Sequence, residues 1–391
     1  MPYNAGTNRK AKDFNYWVHN NLKLDVAQYG TITTIWDSGI TTGTSVVNSN
    51  GTSKDALISG YETSFANNIA AWNFTKNAGN PLISQLYSGS YYEFYPPALY
   101  KDGTNYRVMA KCGGDGYAYT STDGVTWVSD GLFIAKGAGV EFDSGQASPN
   151  VLKKVGSTYY CFYSCYVSGD GGANKVALAT NTAFTTSGWV KDGVICDVSA
   201  YNTANGTSYE AIGLSDIVLV GTTYYYFGSA WMKNGSAADL VYGVGAVGGS
   251  IEDVVLDTKI ATAVSLSSYY VWLQGASVFK HPTSDEWFMT FTLGNLTSSG
   301  TNNQAQYLMK SGRTDVPIFG ATDFQSYQIL APDTTKNYED NYNYAANWLK
   351  DDTGELLAIS GNYYFYYSGH QTGSATYTGV MCLATIPSIP T

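Results

Sequence analysis

The sequence predicts an all-β fold: a five-bladed β-propeller behind a small N-terminal segment of mixed helix and strand. Three observations predict it. First, residues 91–131 read as strand, tight turn, strand, loop, strand, tight turn, strand, with Lys101-Asp102-Gly103 and Asp123-Gly124 at the turns. An Asp-Gly pair between β-rich runs marks a hairpin, because such a turn needs positive φ and glycine adopts it at little cost. Second, the unit recurs. A turn glycine leads an aromatic strand at Gly103 (Tyr106), Gly156 (Tyr159, Tyr160), Gly221 (Tyr224, Tyr225, Tyr226) and Gly361 (Tyr363, Tyr364). A fifth copy uses residues 282–285 as its turn, before Trp287 and Phe288. Third, the composition is that of strands and turns: 34 Tyr and 42 Gly among 391 residues, with only 13% charged. A tyrosine ring packs between sheets while its hydroxyl reaches water or a polar partner. Five copies of a four-stranded unit make a propeller; a large sandwich would not demand the same internal order in each copy.

Residues 1–90 differ from the rest and form an attachment or packing segment. Phe14, Trp17, Val18 and Leu22 fit one face of a short helix, as do Leu57, Tyr61, Phe65 and Ile69. Residues 31–40 are β-like, and 41–53 read as a loop. Blade one occupies 91–131, with 123–127 as its fourth strand. Blade two has strands at 148–152, 159–163, 175–180 and 189–196. Blade three has them at 215–220, 224–230, 240–247 and 254–260. Blade four has them at 275–280, 287–292, 304–310 and 327–330. Blade five shows only 355–359, 363–368 and 379–386. A ring must close, so a fourth strand is expected from the N-terminal segment, with 31–40 as the candidate.

The net charge of −10 and the absence of a Lys/Arg cluster argue against a nucleic-acid surface. No apolar run approaches the ~20 residues of a membrane span. The opening Met1-Pro2-Tyr3-Asn4-Ala5-Gly6 lacks the charged-then-apolar pattern of a signal peptide, so synthesis in the cytoplasm without one is expected. The five cysteines, an odd number, make no complete disulfide set. Cys161 and Cys165 lie ~13 Å apart along one strand face, too far to bridge. No metal spacing accompanies them, and buried thiols are expected.

In a propeller blade the first strand lines the central channel. The segments leading into first strands share a face with the loops between second and third strands, and a ligand pocket forms at that mouth. The lead-in segments hold Glu93, Tyr95, Asp143, Glu210, Trp272 and Gln274; the other loops hold Lys111, Asp115, Tyr166, Trp231, Asn295 and His370. Rings stack on the apolar face of a pyranose while carboxylates and amides bind its hydroxyls, so a glycan or polysaccharide is the expected partner.

Ser148-Pro149-Asn150-Val151-Leu152-Lys153 before Gly156-Ser157-Thr158-Tyr159-Tyr160-Cys161-Phe162-Tyr163-Ser164 resembles the blades of five-bladed glycoside hydrolases, the arabinanase/xylosidase and invertase-like families. Ser121-Thr122-Asp123-Gly124-Val125-Thr126-Trp127 and Phe142-Asp143-Ser144 are similar to further segments of that superfamily, and Gln274-Gly275-Ala276-Ser277 resembles its Glu-Gly-Pro strand. The resemblance covers about residues 90–390. It implies carboxylates at the starts of inner strands, one protonating the leaving oxygen and another activating water or attacking the sugar. This chain departs from that pattern. Gln274 stands where the Glu is expected, and an amide is no general acid. Ser148 stands where an Asp precedes Pro. Asp143, Glu210 and Glu93 are the remaining catalytic candidates. Tyr95, Tyr166, Asp216, Trp231, Trp272, Gln274 and His370 are the substrate-binding ones. Some relatives place a histidine near a central calcium, which would make His370 the residue to watch. A lone histidine is more often a hydrogen-bonding residue, and no metal or cofactor is expected.

Three functions follow as expectations. The first is a glycan-binding propeller with an incomplete carboxylate set; its Asn/Gly/Ser/Thr/Tyr-rich chain resembles bacteriophage fibre or spike proteins, which would add other virion proteins as partners. The second is an active glycosidase or polysaccharide depolymerase. The third is a purely structural propeller.

Overall fold

The computed structural model describes residues 72–83, 86–87, 90–170, 172–233, 237–263, 272–295, 303–333, 336, 339, 343–370 and 379–391. The N-terminal helical stripes and the strand candidate at 31–40 lie outside the described residues. Phe74–Phe324 with Leu330–Thr391 form the compact unit that carries the propeller core; Met1–Asn73 with Gln325–Ile329 group as a second unit.

A two-residue strand, β1 (Thr75–Lys76), comes first in the chain and pairs with the last strand. Blade one is β2 (Leu86–Tyr87), β3 (Ser90–Asp102), β4 (Asn105–Cys112), β5 (Asp115–Ser121) and β6 (Val128–Ile134). Blade two is β7 (Gln146–Val155), β8 (Thr158–Tyr166), β9 (Lys175–Asn181) and β10 (Val190–Cys196). Blade three is β11 (Ala211–Val220), β12 (Thr223–Trp231), β13 (Ala238–Val244) and β14 (Thr258–Thr262). Blade four is β15 (Trp272–Lys280), β16 (Trp287–Asn295), β17 (Asn303–Lys310) and β18 (Phe324–Leu330). Blade five takes β19 (Asn343–Trp348), a short β20 (Ala358–Ile359), β21 (Asn362–His370) and β22 (Gly379–Ile386), with β1 on its outer edge.

The first strands touch in cyclic order: β3 meets β7, β7 meets β11, β11 meets β15, β15 meets β19, and β19 returns to β3. That closed cycle defines the five-bladed ring. In blades two and three the inner strand is buried on both faces: the first eight residues of β7 and of β11 are all buried. Between blades the core is aromatic and aliphatic. Val151 and Phe162 of blade two pack with Ile212, Leu214 and Tyr226 of blade three, and Val108 and Tyr119 of blade one pack with Tyr366 and Leu383 of blade five.

Four details differ from the sequence expectations. The strand that completes blade five is Thr75–Lys76, registered Thr75 to Thr385 and Lys76 to Ala384. The inner strand of that blade is β19, not 355–359. Its Asn-Tyr-Ala-Ala-Asn-Trp run has weak β propensity and is held by its neighbours, whereas Ala358–Ile359 only pairs with Tyr363 and Asn362 at the start of β21. Residues 123–127 are a turn. The Asp123 carboxylate accepts from the backbone N–H groups of Val125 (2.8 Å) and Thr126 (2.7 Å), which bends the chain before β6 begins. Finally, an eight-residue helix, α1 (Val198–Asn205), joins blades two and three. Asp197 caps its N-terminus by accepting from Ser199 N at 2.9 Å, and Gly206 ends it in the left-handed conformation at φ 63°.

Candidate functional site

The pairing of each inner strand with its second strand slips at one place. The slips fall between Glu93 and Ala98, Pro149 and Val151, Leu214 and Asp216, Gln274 and Ser277, and Tyr344 and Asn347. A bulge bends a strand locally and re-aims its side chains. Here the residues inside the slips of blades two to five, Asn150, Ser215, Gly275 and Ala345, all line one cavity on the channel axis. The cavity has a volume of about 280 Å³. Its remaining wall comes from Lys111 at the end of β4, Gln146 and Ser148 of β7, Ser164 of β8, Asn174 before β9, Gly213 and Leu214 of β11, Trp231 at the end of β12, and Gln274 of β15. These are starts of first strands and ends of second strands, the mouth that strand alternation defines.

The neutral polar groups of the lining are amides and hydroxyls, set beside Leu214, Trp231 and Ala345. Among the described residues it holds one cation, Lys111, and no carboxylate. Part of the polar wall is internally fixed. Gln146 Nε2 donates to Asn174 Oδ1 at 2.6 Å, and Lys111 Nζ approaches Gln146 Oε1 at 3.4 Å. Asn150 Oδ1 accepts from Ser164 N (2.8 Å) and Ser164 Oγ (2.6 Å), locking the bulge of β7 onto β8. Three side chains are left over for something else. Ser148, Ser215 and Gln274, one on each of three successive inner strands, make no hydrogen bond to the described protein. The two serines are 3% and 5% exposed. All three line the cavity, where a ligand or water can meet their donors and acceptors.

Trp231 stands half-buried at the mouth. A Cβ on Gly213 would lie 3.2 Å from its Cη2, so the absence of a side chain there lets the indole lie against the inner strand. Gly275, at φ 68°, packs its backbone on Ala345, itself at φ 49°. Ala345 N donates to Thr292 Oγ1 at 2.8 Å, which fixes that corner.

Similar solved structures are carbohydrate enzymes. The catalytic domain of the Coprinopsis cinerea GH62 α-L-arabinofuranosidase matches with a TM-score of 0.51 and 14% identity, over 80% of this chain and 97% of that one. An α-L-arabinofuranosidase from Podospora anserina in complex with cellotriose matches with a TM-score of 0.51 and 10% identity, over 80% and 96%. A glycosyl hydrolase from Bacteroides ovatus gives 0.52 and 13%, over 82% and 95%. The fold is similar to that of five-bladed propeller glycoside hydrolases. At these identities the likeness is one of fold. No protein-family profile and no curated protein sequence matches the chain.

Of the residues singled out from sequence, the structure brings Trp231 and Gln274 together in the cavity wall. Glu210 is exposed on the rim just before β11; its N–H donates to Trp231 O (3.2 Å) and its carboxylate accepts from Lys233 N (3.0 Å). Tyr166, at the end of β8, lays its ring against Gly145, beside the start of β7. Asp143 is not in the cavity wall. It is fully buried, ion-paired with Lys191 Nζ at 2.6 Å, and accepts from Gly137 N at 3.0 Å and the Tyr163 hydroxyl at 3.3 Å. Burial and this carboxylate push the Tyr163 hydroxyl well above the usual phenol range. Asp216 lies beneath the cavity, 2% exposed, and accepts from Lys350 Nζ and from Val278 N (2.7 Å). Glu93 and Tyr95 lie on β3, Trp272 opens β15 and His370 closes β21; their side chains lie outside the described residues. Among the described residues no group of three or more His, Cys, Asp or Glu is arranged to hold a metal ion.

Sequence reasoning missed Gln146, Asn150, Asn174, Ser164 and Ser215. A signal existed for the first two. Gln146, Ser148 and Asn150 alternate with Ala147 and Pro149, the period-two pattern of a strand with a polar face. On an inner strand that face points at the axis.

Proposed function

We propose that the protein is a carbohydrate-binding propeller that holds sugar in the axial cavity and does not hydrolyse it. The observation that carries this reading is the trio Ser148, Ser215 and Gln274. They are neutral, lack protein partners and stand at the mouth of a hydrolase-like ring. Ser148 and Gln274 occupy the places where the resemblance leads one to expect Asp and Glu. Glycoside hydrolysis needs one carboxyl to protonate the leaving oxygen and another to attack or to activate water. An amide and a hydroxyl supply neither at neutral pH, but both hydrogen-bond sugar hydroxyls well. Trp231 adds the ring face such sites use for stacking. The similarity in fold to an arabinofuranosidase solved in complex with cellotriose supports a carbohydrate as the ligand.

The test pairs binding with turnover on one panel of arabinans, xylans, galactans and glucans. The expected result is binding without release of reducing ends. Turnover that disappears in Glu210→Gln or Glu93→Gln would establish a displaced carboxylate pair and overturn the reading in favour of a hydrolase. A virion-surface location goes with this proposal as the setting in which host glycans would be met; mass spectrometry of purified phage particles checks it.

A further inference from the structure

The cavity is closed from below by side chains that cross the axis. Asp216 of blade three accepts from Lys350 Nζ of blade five. Lys350 Nζ also donates to Ser277 Oγ of blade four at 3.0 Å, and Ser277 Oγ donates to Asn347 Oδ1 of blade five at 2.7 Å. Asn347 Nδ2 donates to the Pro97 carbonyl of blade one at 3.2 Å. Lys153 of blade two pairs with Asp352, beyond β19, at 3.1 Å. Every blade thus contributes to the plug, and Asp216, Ser277, Asn347, Lys350 and Lys153 are all under 10% exposed. Among the described residues, these contacts bridge the blades across the axis below the cavity. Above the plug, the contact of Gly275 with Ala345 narrows the floor on the side of blades four and five.

From this blind shape we infer that the site takes a glycan end: one terminal sugar residue, with at most its neighbour, enters the cavity, and the interior of a polysaccharide chain does not. The inference rests on the glycan-binding reading above. A volume of about 280 Å³ is at the lower limit of ligand cavities, which run from about 300 to 1,000 Å³. A chain threaded through its middle needs two exits, and the plug removes the axial one. Ser148, Ser215 and Gln274 converge from three successive strands on one space, an arrangement that reads the hydroxyls of one ring rather than a row of rings. Trp231 at the rim offers its face to that ring or to the next.

The experiment uses the full chain on a glycan array, followed by titration calorimetry with the best glycan as a length ladder of one to six residues. The expected hits share a terminal residue whatever their inner core, and exoglycosidase removal of that residue abolishes binding. Affinity levels off by the second residue, and Trp231→Ala lowers it by about tenfold or more with an unchanged melting temperature. Hits that share an internal repeat, or affinity that climbs through the sixth residue, overturn the inference and leave the glycan reading standing. An array with no hit sinks both. If Trp231→Ala lowers the melting temperature, Gln274→Ala replaces it as the variant, with the same loss expected.

Discussion

Lys350 and Asp216 form an ion pair between blades five and three in which the side chains are 5% and 3% exposed. The pair is neither a surface bridge nor part of the cavity wall. Burial lowers the ammonium's pKa, and the Asp216 charge opposes that fall. The remaining valences are met by Ser277 Oγ on the ammonium and by Val278 N on the carboxylate. A buried pair of this kind costs desolvation on both sides, and removing one member leaves the other charge stranded.

Lys350→Met alone, or Asp216→Leu alone, should therefore destabilise the fold by about 3–5 kcal/mol, while the double variant recovers most of that loss. Urea denaturation of the four proteins measures the coupling. Additive losses would mean that the two groups do not act as a pair.

His281 sets a pH dependence. It is fully buried in the β15–β16 turn; its Nδ1 accepts from Thr283 N (3.2 Å) and Ser284 N (3.0 Å), and its Nε2 lies 3.0 Å from the Ile389 carbonyl. Both contacts suit the neutral ring protonated on Nε2. Burial lowers its pKa from 6.5, assisted by Lys310 and opposed by the Ile389 and Pro390 carbonyls and by Glu286. A depressed folded-state pKa means that the unfolded chain takes up the proton first. The stabilisation is complete above about pH 6.5 and is lost as the pH falls through the lowered value. The melting temperature should drop between pH 7.5 and pH 5, and His281→Gln should flatten part of that drop. An equal drop in the variant would assign it to other groups.

Tyr366 ties blade five to blade one. Its hydroxyl donates to the Gly124 carbonyl at 2.7 Å, and its ring meets Trp127 edge to face at 6.0 Å. Tyr366→Phe keeps the ring and strands the carbonyl, so a loss of about 1–3 kcal/mol is expected. Thermal unfolding checks it, and no change in midpoint would show that water replaces the hydroxyl.

All five cysteines are free thiols, and four of them are buried. Burial pushes Cys165 and Cys196 up to about 12, with Asp143 and Asp197 as the next causes. A thiolate is the reactive form, so the native protein should resist Ellman's reagent at pH 8, with partly exposed Cys196 labelled first. Denaturant should release all five at once. Rapid native labelling of Cys161 or Cys382 would contradict the packing of blades two and five.

Much of the ring was legible from the chain alone. Hairpin glycines such as Gly103, Gly156 and Gly221 sit at φ near 60°, where only glycine is comfortable, so the turns announced themselves. Aromatic second strands such as β8 and β12 follow those turns because a ring needs bulk between its sheets. The same local chemistry misled at 123–127, where the Asp123 carboxylate captures backbone donors and a strand-like string becomes a turn. It was weak at β19, where Asn and Ala outnumber the strand-favouring Tyr344 and Trp348.

The sequence by itself determined the repeat, the blade count, the turn positions and the presence of Gln274 and Ser148 where acids were expected, because these depend on backbone preference and side-chain chemistry within a few residues. Only the tertiary structure decided that Trp231 and Gln274 share a wall, that Asp143 is a buried ion-pair partner and not a rim acid, and that the channel is plugged by Lys350 and Asp216. Those facts arise from contacts between residues up to 134 apart in the chain, within blade two for Asp143 and between blades for the others. Ring closure creates such contacts, and no short segment encodes them.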